Sequence, residues 1–127
     1  MNRPTHFEIH AGDPERAIKF YTTVFGWQFQ KWDGPMPYWL VNTGEGPGIN
    51  GGMVPRRGPA PADDQPVNAY PTTMKVASCD ATVAAITANG GTIPLPKQAI
   101  PAMGWLVFAK DTEGNRFGVM QDDPMAR

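Results

Sequence analysis

The chain has 127 residues, 41% of them hydrophobic. That length suits one domain with a real core, and that composition argues against wholesale disorder. Eleven basic residues against twelve acidic ones leave a formal charge of −1. Such a balance carries no electrostatic footprint for nucleic acid or an anionic membrane. Cys79 has no second cysteine to pair with, so an intrachain disulfide is excluded and a reducing compartment is expected. No apolar run approaches the roughly 18 residues of a membrane span. Met1-Asn2-Arg3-Pro4 lacks the apolar stretch of a signal peptide. The expectation is a cytoplasmic protein.

Residues 5–11 alternate as a strand. Phe7 and Ile9 form one face, and His6, Glu8 and His10 the other. Asp13-Pro14-Glu15 then signals a helix start, with a capping Asp, Pro at the first helical position and an acid in the first turn. Ala17, Ile18, Tyr21, Val24 and Phe25 recur at helical spacing, and Gly26 stands where a capping glycine belongs. Short strands are expected near 27–31, 37–43 and 49–54, separated by Gly and Pro. Residues 55–70, "PRRGPAPADDQPVNAY", have the composition of a linker or surface loop.

After that segment the pattern restarts. "TTMKVASCD" predicts a strand leading to Asp80 as helix N-cap, 81–89 an alanine-rich helix, and 92–95, 104–110 and 115–121 three strands. "PLPKQAIPAMG" reads as a proline-rich loop. Each half is thus strand, helix, three strands. His6-Phe7-Glu8-Ile9 can be laid on Thr73-Met74-Lys75-Val76, Asp13 on Asp80, Gly51 on Gly118 and Met53 on Met120. The expected fold is α+β: two curved antiparallel sheets with helices outside and the polar faces of the first strands lining a shared cup.

"HFEIHAGDPERAIKFYTTVFGWQF", "YWLVNTG", "INGGMVPR", "ANGG" and "KDTEGNRFGVMQ" in this order resemble the vicinal oxygen chelate superfamily. That superfamily includes glyoxalase I, bleomycin-resistance proteins, fosfomycin-resistance enzymes and extradiol dioxygenases, and "YWLVNTG" and "INGGMVPR" look like its glyoxalase-like subgroup. Thr112 replaces the proline usual in the final hairpin. The resemblance covers nearly the whole chain. It implies two βαβββ modules, about 5–54 and 71–121, in one domain, and a homodimer. It also implies one divalent metal, with ligands on the first and last strands of each module. Carried over, those positions fall on His6, on Gly51 (or Gly52, one register away), on Thr73 and on Gly118. Glycine offers no side chain and threonine is a poor primary ligand, whereas a catalytic metal needs about three protein ligands. No metal and no other cofactor is therefore expected.

Glu8 and His10 could still rebuild a site. His6 and His10 stand roughly 13 Å apart at ~3.3 Å per residue, so all three cannot reach one ion. His6 with Glu8, or Glu8 with His10, could give two ligands. Gln121 is a weak third, since alternation turns it toward the helix side. A simply wet strand face needs no function. Between these lies an ion pair of Glu8 with Lys75 that orients a polar ligand. Trp39, Met53, Trp105 and Met120 are either ordinary core or the apolar wall of a pocket. The expected ligand site is His6, Glu8, His10, Trp39, Met53, Thr73, Lys75, Trp105 and Met120. Cys79, beside a helix N-terminus, has no partner base in sight and reads as a buried thiol.

The leading expectation is a metal-free, glyoxalase-like protein that binds a small polar or aromatic molecule. The alternatives are a metal-dependent lyase, isomerase or dioxygenase using His6 and Glu8, and an interaction module whose cup has closed.

Overall fold

A computed structural model describes residues 4–127. The expectation about Met1-Asn2-Arg3 as a leader lies outside the described residues. The chain divides into two compact units, the first up to Ala60 and the second Pro61–Arg127, and the division falls inside the proline-rich 55–70 segment.

The first unit orders β1 (Phe7–Ala11), α1 (Pro14–Phe25), β2 (Gln28–Lys31), β3 (Trp39–Asn42) and β4 (Gly51–Pro55). Its helix begins where the sequence predicts. The Asp13 carboxylate accepts from the Arg16 N–H at 3.2 Å, which satisfies one of the orphan donors of the first turn. Its end is set by Gly26, in the left-handed region at φ 72°, whose N–H donates to the Thr22 carbonyl at 3.0 Å. Strand order is β1-β4-β3-β2. β1 runs parallel to β4 and the remaining pairs are antiparallel, so the sheet is mixed rather than purely antiparallel. The α1 crossover accounts for this, because a helix returns the chain to enter the sheet in the same direction.

The rungs of this sheet sort its faces. Phe29, Val41, Gly51 and Phe7 stand on one rung. Tyr21 of α1 meets Phe29 at 6.5 Å between ring centroids and stacks on Trp27 at 5.0 Å, and Phe7 lies 5.6 Å from Trp27. This is the helix-facing core side. Two residues along, Trp39, Met53 and Ile9 share another rung on the same face and are buried. The rung between them, Gln30, Leu40, Gly52 and Glu8, faces the other way.

The second unit repeats the order with β5 (Thr73–Lys75), α2 (Cys79–Ala88), β6 (Thr92–Ile100), β7 (Gly104–Lys110) and β8 (Arg116–Asp122), arranged β5-β8-β7-β6 with β5 parallel to β8. Two sequence expectations change here. Ser78, not Asp80, is the N-cap: its hydroxyl accepts from the Ala81 N–H at 3.1 Å, and Asp80 falls in the first turn. And 94–100 is not a loop but the greater part of β6. Pro94 and Pro96 are tolerated because β6 is an edge strand whose pairing with β7 slips between Thr92 and Leu95 and again between Leu95 and Gln98. At edges and bulges a missing N–H costs no ladder bond. Asp111 organises the β7–β8 turn, its carboxylate accepting from the N–H groups of Glu113 and Asn115 at 2.8 Å each.

Candidate functional site

The first sheet's outward face is the candidate site. A cavity of about 490 Å³ opens on it, and its walls include His6, Gln28, Gln30, Leu40, Asn42 and Asn50. Gln28 is the cross-strand partner of Asn42, and Gln30 of Leu40, so four of these side chains project together from β2 and β3. Leu40, opposite Gln30, is 47% exposed. No wall residue carries a carboxylate, ammonium or guanidinium group.

His6 meets Tyr38 beside this cavity, with Nε2 and Oη hydrogen-bonded at 3.1 Å. Tyr38 precedes β3, while β4 lies between β3 and β1, so the ring crosses β4 to reach β1. Gly52 permits this: a Cβ there would sit 1.8 Å from Tyr38 Oη and 2.3 Å from its Cζ. Burial pushes the Tyr38 phenol above its ordinary pKa, and the nearby negative charge of Glu8 adds to that. Glu8 itself accepts from or pairs with His10 Nε2 at 3.1 Å. The Arg56 guanidinium donates to the His10 carbonyl at 2.8 Å.

The parallel ladder refines the metal-ligand positions. Gly51 is level with Phe7 on the helix side, so it cannot be the counterpart of an outward-facing ligand. Extending the ladder one residue beyond its first pair, Phe7 with Gly51, would bring Asn50 level with His6, as Gly118 is level with Thr73, while Gly52 faces outward level with Glu8. The positions that the resemblance implies then fall on His6, on Asn50 or Gly52, on Thr73 and on Gly118. Only the imidazole is a strong ligand for a transition metal; the Asn50 Oδ1 already accepts from the Thr43 N–H at 3.0 Å. The Gly118 position is closed as well, since a Cβ there would meet Thr73 Oγ1 at 2.8 Å. Among the described residues no group of three or more His, Cys, Asp or Glu side chains could hold a metal ion. The residues present do not fit the superfamily's metal.

The other expected site residues are distributed as follows. Trp39 and Met53 lie on the helix side of the first sheet, opposite Glu8 and Leu40. Thr73, Lys75 and Met120 share the outward face of the second sheet with the half-buried Leu106 and Phe108. Lys75 Nζ pairs with the Asp122 carboxylate at 2.5 Å, and Glu8 with the His10 imidazole, each within its own unit. Trp105 is level with Gln121 on the helix side. Its indole N–H donates to Asp123 at 2.9 Å, and Lys97 Nζ lies 5.1 Å over its ring. Gln121 Oε1 accepts from the Cys79 N–H at 2.9 Å, which puts it on the side that alternation predicts. Cys79 is fully buried. Desolvation raises its thiol pKa against the lowering effects of the Gln121 hydrogen bond and Lys97, with Asp80 adding a small rise.

Sequence reasoning missed Gln28, Gln30, Asn42, Asn50 and Tyr38. The signal was present in the alternation of "WQFQ" and "YWLVN", whose polar members fall on the outward face. Amides on strands carry no motif, and only the pairing brings them together.

Comparison with known proteins places this architecture. Residues 3–44 match the family model described as bleomycin resistance protein-like N-terminal. A glyoxylase-like domain-containing protein of Didymella fabae is 34% identical over 119 residues, covering 88% of each chain. CFP32 of Mycobacterium bovis is 28% identical over 93% of this chain, which spans only 45% of that relative's length. Among solved structures, TnmS3 of Streptomyces sp. CB03234, an antibiotic binding protein, superposes with a TM-score of 0.70 at 19% identity, covering 97% of this chain and 98% of its own. At that identity the likeness shows the fold alone.

Proposed function

The chain belongs to the vicinal oxygen chelate superfamily, with the glyoxalases and bleomycin-resistance proteins, and on that premise we propose that it is a small-molecule-binding member that works without the superfamily's metal. The observation that carries this reading is the set of residues at the four ligand positions. His6 alone is a strong ligand there, beside Asn50 or Gly52, Thr73 and Gly118. A cavity of about 490 Å³ beside His6 supplies the place for a ligand; pockets of roughly 300–1,000 Å³ suit compact organic molecules. His6 serves as a polar wall group, oriented by Tyr38. Leu40 gives apolar surface, and the four carboxamides fix orientation. The antibiotic binding of TnmS3 supports the same use of the fold. The protein is proposed to act as a homodimer.

Elemental analysis of the purified protein, paired with thermal-shift screening against small aromatics and aldehydes, tests the reading. The expected result is no stoichiometric divalent metal and a raised Tm with a subset of compounds. One divalent ion per chain would overturn it in favour of a metal-dependent enzyme using His6 and Glu8. Absence of both metal and any ligand shift would leave an interaction module. Light scattering at the mass of a single chain would remove the dimer.

A further inference from the structure

We propose that this cavity selects an uncharged ring compound bearing a carbonyl-type acceptor, held by the side-chain NH₂ groups of Asn42 and Asn50. The inference rests on the reading of the cavity as the ligand site. Its basis is the orientation of the two asparagines. The Gly44 N–H donates to Asn42 Oδ1 at 2.9 Å, and the Thr43 N–H donates to Asn50 Oδ1 at 3.0 Å. A backbone N–H can be met only by an acceptor, so these contacts fix which end of each amide is oxygen. The loop after β3 thus takes both oxygens. Each asparagine keeps a pair of N–H donors for the cavity it lines, while Asn42 Oδ1, with one bond made, keeps a single lone pair.

Two donors on one wall call for a ligand oxygen. Gln28, the cross-strand partner of Asn42, and Gln30, beside Leu40, can each donate and accept, and so can match a second polar edge. Exposed Leu40, opposite Gln30, suits the face of a ring. No wall residue is a carboxylate, ammonium or guanidinium, so a charged ligand would find no fixed counter-ion among them.

Benzamide and benzamidine test this. They share size and shape, but the carbonyl oxygen of the first becomes a cationic N–H donor in the second. Each is titrated at about pH 8 against the ¹⁵N-labelled protein while the Asn and Gln side-chain NH₂ resonances are followed. Benzamide is expected to shift the Asn42 and Asn50 resonances and to bind at least about ten-fold tighter than benzamidine, because a site built to donate leaves its N–H groups unmatched against a donor. Asn50→Asp keeps the oxygen that accepts from Thr43 and exchanges the NH₂ for a negative oxygen. In that variant the preference is expected to invert. Equal binding of the two compounds, or an unchanged preference in Asn50→Asp, would overturn the acceptor inference and leave the cavity as a ligand site. If neither compound moves any of the four amides, the cavity reading falls with it.

Discussion

Gly52→Ala gives the most direct test of how the polar face is built. A Cβ at this position would lie 1.8 Å from Tyr38 Oη, 2.3 Å from Cζ and 2.9 Å from Cε1. Ordinary contact needs about 3.5 Å, so the ring must withdraw by roughly 1.5 Å or more. That breaks the His6–Tyr38 hydrogen bond, worth about 0.5–1.5 kcal/mol, along with the packing of the ring on the strand. Against this, replacing a strand glycine by alanine gains about 0.5 kcal/mol by restricting the unfolded chain. The net expectation is a loss of roughly 1–2 kcal/mol. In a Tyr38→Ala background the obstacle is gone, and Gly52→Ala should be neutral or stabilise slightly. Urea unfolding of the four proteins reads this as a coupling of about 1–2 kcal/mol, within the range of touching residues. Gly51→Ala is the control. Its Cβ would meet the Phe7 carbonyl oxygen at 2.5 Å, backbone of the neighbouring strand, so its cost should persist without Tyr38. A coupling between positions 52 and 38 below about 0.5 kcal/mol would refute the reasoning.

Three further expectations concern the second unit. Ser78→Ala should cost about 1 kcal/mol through loss of the helix cap, while Asp80→Ala, whose exposed carboxylate pairs with Lys97, should cost no more than about 0.5 kcal/mol; the reverse ranking in urea would restore Asp80 as the cap. Cys79 should resist thiol reagents in the native protein at neutral pH and react on unfolding, because desolvation holds the thiol form; fast native labelling would contradict its burial. The Trp105 N–H, and then the Met125 N–H, hold the Asp123 carboxyl below its ordinary pKa. A depressed folded pKa stabilises above the unfolded value and loses that contribution as pH falls through the folded value. The stability gap between wild type and Asp123→Asn should therefore be present at neutral pH and close well below about pH 4; a gap that widens on acidification would show the sign to be wrong.

Local chemistry made much of this protein legible without coordinates. Asp13-Pro14 and Gly26 bracket α1 because caps and left-handed glycines are decided within a few residues. The strand–helix–three-strand repeat is visible because side-chain period and turn residues are local too. His6 alone at its ligand position, with Thr73 and Gly118 unfit, was equally readable. Tertiary pairing decided the rest. The parallel β1–β4 ladder set Gly51 level with Phe7 on the helix side, and a one-residue slip reverses which face a side chain serves. The same alternation sent Trp39 and Met53 to the helix side. Prolines that signal a loop in sequence sit in β6 because it is an edge, and an edge is defined only by which strand has no further neighbour. The amide-lined wall and the bridge from Tyr38 over Gly52 to His6 likewise join residues distant in sequence. Composition and spacing determine which chemistry the chain carries; the ladder determines which of it faces outward together.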